Sequence, residues 1–142
     1  MNTILFADDN KNIREYCRAA LEDEGYRVVL ARDGIEAFQV FRSETPDLAI
    51  LDISMPRASG LDALEQIRGL APTVPVILFT AHEEDCLHDQ RAAFATACVG
   101  KNADLSDLKR ILTRALQSSH CETHGATLRL GSMPWPANTG CS

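Results

Sequence analysis

Asp8, Asp9, Asp52, Thr80 and Lys101 are the residues of this chain best equipped for chemistry, and each closes or follows a short apolar run. TILFA runs into Asp8 and Asp9, LAIL into Asp52, VPVILF into Thr80 and ACVG into Lys101. Carboxylates gathered at neutral pH repel one another, so one of them keeps a proton or a cation sits among them. Mg2+ suits such a cluster: it takes oxygen ligands, binds one or two carboxylates directly and completes its shell with water and phosphate oxygens. A hydroxyl and a compact ammonium match a phosphoryl group, whose charge lies on its equatorial oxygens. An aspartate can itself attack phosphorus and form an aspartyl phosphate. Asp52 stands alone at the end of its run and is the candidate nucleophile, while the adjacent Asp8 and Asp9 are placed to share a metal from one side.

For residues so far apart to meet, the runs must be parallel strands whose carboxyl ends share one edge of a sheet. The pattern supports this: β-type runs at 3–7, 27–31, 47–51, 74–79 and 97–100 alternate with segments of helical period. Ile13, Cys17, Ala20 and Leu21 recur at helical spacing, as do Ile35, Phe38 and Phe41, then Leu61, Leu64 and Ile67. The stripe Leu105, Leu108, Ile111, Leu112 and Leu116 marks a final helix. Strands alternating with helices predict an α/β fold of five βα units around a parallel sheet. Past Gln117 the periodicity fails, and residues 118–142 read as a flexible tail following one domain at 1–117.

With 142 residues the chain has room for one full-sized core. No window approaches the roughly 20 apolar residues of a membrane span, and MNTILFADD meets acid too early for a secretory signal, so a cytoplasmic protein without a membrane partner is expected. The net charge of −6, with basic residues scattered rather than striped, argues against direct nucleic-acid binding. The five cysteines are odd in number and irregularly spaced, which makes a disulfide framework improbable; Cys17 and Cys98 read as small buried hydrophobes.

Two residues after the candidate nucleophile, where haloacid-dehalogenase-type enzymes place a second aspartate as general acid and base, this chain has Ser54. A serine deprotonates water poorly, so an acyl phosphate on Asp52 should outlive a catalytic cycle and serve as a signal. In Asp8-Asp9, ILDISMP around Asp52, Gly60, FTA with Thr80-Ala81, and Lys101, together with DGIEAFQVFRSETPDLAILD from Asp33 to Asp52, residues 3–117 resemble a response-regulator receiver domain of two-component systems.

The resemblance implies a flavodoxin-like, doubly wound sheet of order 2-1-3-4-5 with helices on both faces, and phosphorylation of Asp52 by a sensor histidine kinase or a histidine phosphotransfer protein. It implies Mg2+ held by Asp8, Asp9, Asp52 and the backbone carbonyl of Ser54, and phosphoryl oxygens held by Thr80, the Ala81 N–H and Lys101. Ser54 and His82 occupy positions that tune water access to the phosphoryl group. Thr80, Cys98 and Phe94 are the switch candidates, reporting to a downstream protein through the fourth helix, fifth strand and last helix. The chain departs from the family pattern at Cys98, where an aromatic is usual, at Asn102, where proline follows the lysine, and at Phe94, where glycine is usual. Phosphotransfer chemistry then stays intact with an altered readout. Catalysis is expected to extend only to the chain's own phosphorylation and dephosphorylation. The alternatives are a phosphorelay intermediate, a receiver whose switch is uncoupled through Cys98, or a small aspartyl-phosphate phosphatase.

Overall fold

In the computed structural model, which describes residues 2–55, 57–81, 89–101 and 105–120, five strands form a single parallel sheet. The elements run β1 (Thr3–Ala7), α1 (Lys11–Asp23), β2 (Arg27–Ala31), α2 (Gly34–Glu44), β3 (Leu48–Asp52), α3 (Gly60–Leu70), β4 (Val76–Thr80), a 3-10 helix (Gln90–Phe94), β5 (Ala97–Gly100) and α4 (Leu105–His120). The strand order is β2-β1-β3-β4-β5, the doubly wound arrangement expected. The readings made of Pro56, His82 and Asn102, and of the segment from 121 onward, lie outside the described residues.

Alternation along each strand divides the core in two. Leu5, Leu51 and Leu78 point to the layer containing Phe41 of α2 and Leu61, Leu64 and Ile67 of α3. Ile4, Phe6, Ile50, Ile77 and Phe79 point to the other, with Cys17 and Leu21 of α1 and Leu108, Leu112 and Leu116 of α4. β1, β3 and β4 are apolar on both faces because helices cover both, as parallel sheets require. Each fully buried Leu or Ile contributes roughly 1.5–3 kcal/mol. That reserve allows charged groups to be held at the sheet's edge.

Strands β3 and β4 extend one residue beyond the expected apolar runs, so Asp52 and Thr80 are themselves the last strand residues. Their backbones are thus fixed by the sheet. Polar caps then start the helices: the Asn10 side chain accepts from Ile13 N–H, Asp33 accepts from Glu36 N–H, and Ser59 and Asp62 form a reciprocal capping box.

Of the fourth crossover, the described part is a short 3-10 helix rather than an α-helix. Arg91 ties it to α3 through ion pairs with Asp62 at 2.6 Å and Glu65 at 3.5 Å, and also pairs with Asp89 at 3.0 Å. Arg68 of α3 donates to the carbonyls of Phe94, Ala71 and Val74. Cys98 is buried, as expected, but it is disulfide-bonded, which corrects the reading of a plain buried thiol. The fold, not sequence spacing, decides which cysteines meet. Cys17 is free and buried.

The turn after β3 is closed by Gly60, whose N–H donates to the carbonyl of Ile53 at 3.0 Å. A Cβ on Gly60 would lie 2.2 Å from the carbonyl oxygen of Asp52, backbone that cannot yield cheaply. Gly60→Ala should therefore destabilise the protein by about 2–3 kcal/mol, the upper range for forcing an extra methyl into a packed site, measured by urea unfolding.

Candidate functional site

Register brings the acids together before any side-chain contact is considered. β1 and β3 pair in parallel with Ala7 opposite Leu51, so the next residues, Asp8 and Asp52, lie side by side on strands roughly 4.8 Å apart. Both continue the face that Phe6 and Ile50 turn toward α1 and α4. Lys101 follows Gly100, which pairs with Thr80, and it continues the same face two residues past Val99. Its N–H donates to the carbonyl of Thr80 at 2.7 Å, fastening the residue to the sheet's edge.

The Lys101 ammonium consequently reaches both acids, with Nζ 2.8 Å from Asp8 Oδ2 and 3.1 Å from Asp52 Oδ2. Asp8 is wholly buried and Asp52 nearly so. The other oxygen of Asp8 accepts from Asn10 N–H at 2.9 Å, and that of Asp52 from Ser54 N–H at 3.2 Å. Apart from its ion pair, Asp8 Oδ2 has no hydrogen-bond partner among the described residues. Because Asn10 caps α1, Asp9 is spared that task. It is exposed, and one carboxylate oxygen from each of Asp8, Asp9 and Asp52 can lie within 4.8 Å of the others.

Burial pushes the Asp52 carboxyl up to about 6, and the neighbouring Asp8 charge adds to the rise, against the pull of Lys101 and the Ser54 N–H. Burial draws the Lys101 ammonium down, but its hydrogen bond to Asp8 and the charges of both acids outweigh this and hold it above its ordinary value. Cys17, beneath the cluster, is pushed up to about 11 by burial and by Asp8, partly offset by Lys101. The arrangement is an acid pair held together by one cation, with a third carboxylate in the solvent beside it.

Thr80 is buried at the end of β4, on the opposite face of that strand from Phe79. Ala81 is exposed at the turn that follows, and Ser54 is exposed just beyond Asp52. The Phe94 ring is 54% exposed on the 3-10 helix, away from the buried layers, whereas Cys98 lies within the layer of α2 and α3. An apolar cleft of about 310 Å3, lined by Ile13, Tyr16, Phe79, Leu105 and Leu108, opens beside Lys101.

One contact pair escapes sequence reading. Asp33, buried at the start of α2, accepts from Arg57 Nε at 3.0 Å and Nη2 at 2.7 Å, although the two residues are 24 positions apart. Burial pushes its carboxyl up, but the Glu36 N–H and Arg57 together hold it below the ordinary range.

Residues 4–113 match the family model described as the response regulator receiver domain. The chain belongs to the response regulator receiver domain family. Receiver domains work in phosphorylation-based two-component signalling with histidine kinases, and the fold here is that of the family. The chain is 41% identical over 80 residues to the response regulator MprA of Mycobacterium tuberculosis (strain H37Ra), covering 56% of this chain and 35% of that protein. It thus spans about a third of the length of the curated relatives it matches.

Among solved structures, the response regulator TrrA of Thermotoga maritima, in complex with Mg2+ and BeF, superposes with a TM-score of 0.77 at 36% identity, over 81% of this chain and 99% of that one. The receiver domain of the sensor histidine kinase PA1611 of Pseudomonas aeruginosa, with a magnesium ion in its active-site cleft, gives 0.77 at 29% identity, over 82% and 98%. In this receiver domain the clustered acids, with a buried oxygen short of donors, suit a divalent cation. No described helix is long and apolar enough to cross a membrane.

The raised carboxyl of Asp52 has a consequence for stability. Below about 3.8 it is protonated folded or unfolded and costs nothing. Between 3.8 and about 6 the folded state holds a proton that the unfolded state lacks, so stability falls as pH rises, and above about 6 the full penalty is present. Asp52→Asn should therefore be more stable than the parent by about 3 kcal/mol at pH 8 without divalent ions, at about 1.4 kcal/mol per pH unit of displacement. The gap should close toward pH 4, as read by urea unfolding across pH.

Proposed function

We propose that Asp52 is the phosphoacceptor, taking a phosphoryl group in a Mg2+-dependent reaction from the phosphohistidine of a sensor histidine kinase or a histidine phosphotransfer protein. The observation that carries this reading is the Asp8–Lys101–Asp52 ion-pair triad with the Asp9 carboxylate in reach. Asp8, Asp9, Asp52 and the Ser54 carbonyl would hold Mg2+, which when bound supplies the positive charge that lets an anionic donor approach three acids.

The chain's own residues do the rest. A carboxylate oxygen of Asp52, fixed by the end of β3, attacks phosphorus; the O–P bond forms as the P–N bond to the donor histidine breaks, and the ring nitrogen takes a proton. Lys101 loses the negative charge of Asp52 as an ion-pair partner, keeps Asp8, and turns its ammonium to a phosphoryl oxygen. The Thr80 hydroxyl and the Ala81 N–H serve the remaining oxygens. Ser54 lacks the basicity to activate water, so the acyl phosphate persists, and His82 is a second candidate for control of water access. The apolar cleft beside Lys101, with its exposed Tyr16, gives a protein donor a surface next to the acceptor.

Signalling then runs through the surface of β5, α4 and the segment after β4 to a downstream protein in the cytoplasm, with Thr80, Cys98 and Phe94 as the switch positions. Direct nucleic-acid or membrane contact has no part in this reading. The chain catalyses only its own phosphorylation and dephosphorylation.

Incubation with acetyl phosphate and Mg2+ followed by intact mass spectrometry should show a single adduct of about 80 Da, absent with EDTA and absent in Asp52→Ala, because the reaction requires that nucleophile. An unmodified parent protein under these conditions would remove the proposal. Sustained turnover of a phosphate monoester would replace it with a phosphatase.

A further inference from the structure

Lys101 borders an apolar cleft of about 310 Å3 whose walls are Ile13 and Tyr16 of α1, Phe79 of β4, and Leu105 and Leu108 of α4. That volume lies at the lower end of the roughly 300–1,000 Å3 of small-molecule sites, and it suits one large aromatic side chain. Tyr16 is 66% exposed, more than any other large apolar side chain among the described residues. Apolar surface gathered in this way marks a place where another segment packs.

The chain supplies such a segment from one wall of the cleft itself. α4 ends at His120, and residues 121–142 continue from it, carrying Met133-Pro134-Trp135-Pro136. Trp135 is the only tryptophan of the chain. Tryptophan brings a large apolar area with one N–H donor and is favoured as an anchor in small pockets. The flanking prolines fix their own φ, which reduces the freedom lost on docking.

Reach agrees with this placement. Leu108 lies 12 residues before the end of α4, so the cleft is roughly 18 Å back along the helix at 1.5 Å per residue. Trp135 is 15 positions past His120, and a flexible segment of that length spans about 19–23 Å on average. A tether whose mean span matches the distance gives the highest effective concentration, in the millimolar range. Charge agrees as well: Asp8, Asp9 and Asp52 set against Lys101 leave the acid cluster beside the cleft negative, and Arg129 stands in the tail between Leu128 and Leu130.

We propose that residues 121–142 turn back along α4 and seat Trp135 in the cleft between α1 and α4. The tail then covers the surface offered to a protein donor, so tail and donor compete for one cleft. That competition rests on the phosphoacceptor reading of Asp52, whereas the docking does not.

A single tryptophan makes the contact readable in the full chain. Acrylamide quenching of its fluorescence should give a quenching constant about threefold or more below that of a synthetic peptide of residues 121–142, because a pocket covers roughly 70–90% of what it holds. Tyr16→Ser, at an exposed position that leaves the core intact, should bring the constant toward the peptide's value. Leu70→Ser, at a 52% exposed position on α3 across the sheet, should leave it unchanged. The protection should also survive dilution. A parent constant equal to the peptide's overturns the proposal, and so does a Tyr16→Ser constant no different from the parent's or a Leu70→Ser constant raised as far as that of Tyr16→Ser. Protection lost on dilution overturns it in favour of a tail contributed by a second copy. None of these readouts involves phosphorylation, so a failure of docking is told apart from a failure of the Asp52 reading, which the mass measurement decides.

Discussion

Two aspartates on adjacent, in-register strands cannot avoid each other, and the site is organised around that constraint. Asp8 and Asp52 are delivered by the backbone pairing of β1 and β3, which apolar side chains on both faces fix. Separating them would mean slipping a buried strand, which would turn an entire apolar face the wrong way. Repulsion is therefore built in, and Lys101 answers it from β5 at 2.8 and 3.1 Å. The arrangement is strained in charge rather than in geometry. A group that brings positive charge relieves it, which is what the divalent cation proposed for this site would supply.

The strand ends were legible because each apolar run stops abruptly at a polar residue, and the alternation of strand and helix periods leaves few topologies. The same reading missed what depends on three-dimensional coincidence. The grip of Arg57 on Asp33 joins residues 24 apart through a backbone conformation for which glycine would be the usual signal, and arginine gives none. The disulfide at Cys98 has no signature in an odd, irregular set of cysteines. Thr80 was placed correctly at a strand end, yet it continues the other face of the sheet from Asp8, Asp52 and Lys101, a distinction of parity that becomes secure only once strand boundaries are fixed to the residue.

Helix starts show the same economy of local signals. Asp8-Asp9-Asn10 could have been spent wholly on capping α1; the structure gives that task to Asn10 and leaves Asp9 exposed beside the buried pair. Three neighbouring polar residues thus serve three purposes: ion pair, solvent-side carboxylate and cap. At α2 and α3 the caps Asp33 and Ser59 likewise bracket the loop that leaves the nucleophile, so helix initiation and site geometry share the same residues.

Arg68 ties the fold together at the opposite end from the acids. One guanidinium accepts no substitute partners easily while it serves the carbonyls of Ala71, Val74 and Phe94, which belong to the end of α3, the approach to β4 and the 3-10 helix. These three pieces of chain therefore behave as a single mechanical part. Any message that displaces the 3-10 helix must drag the entrance of β4 with it, so the strand carrying Thr80 is pulled from its far end as well as from its phosphoryl end.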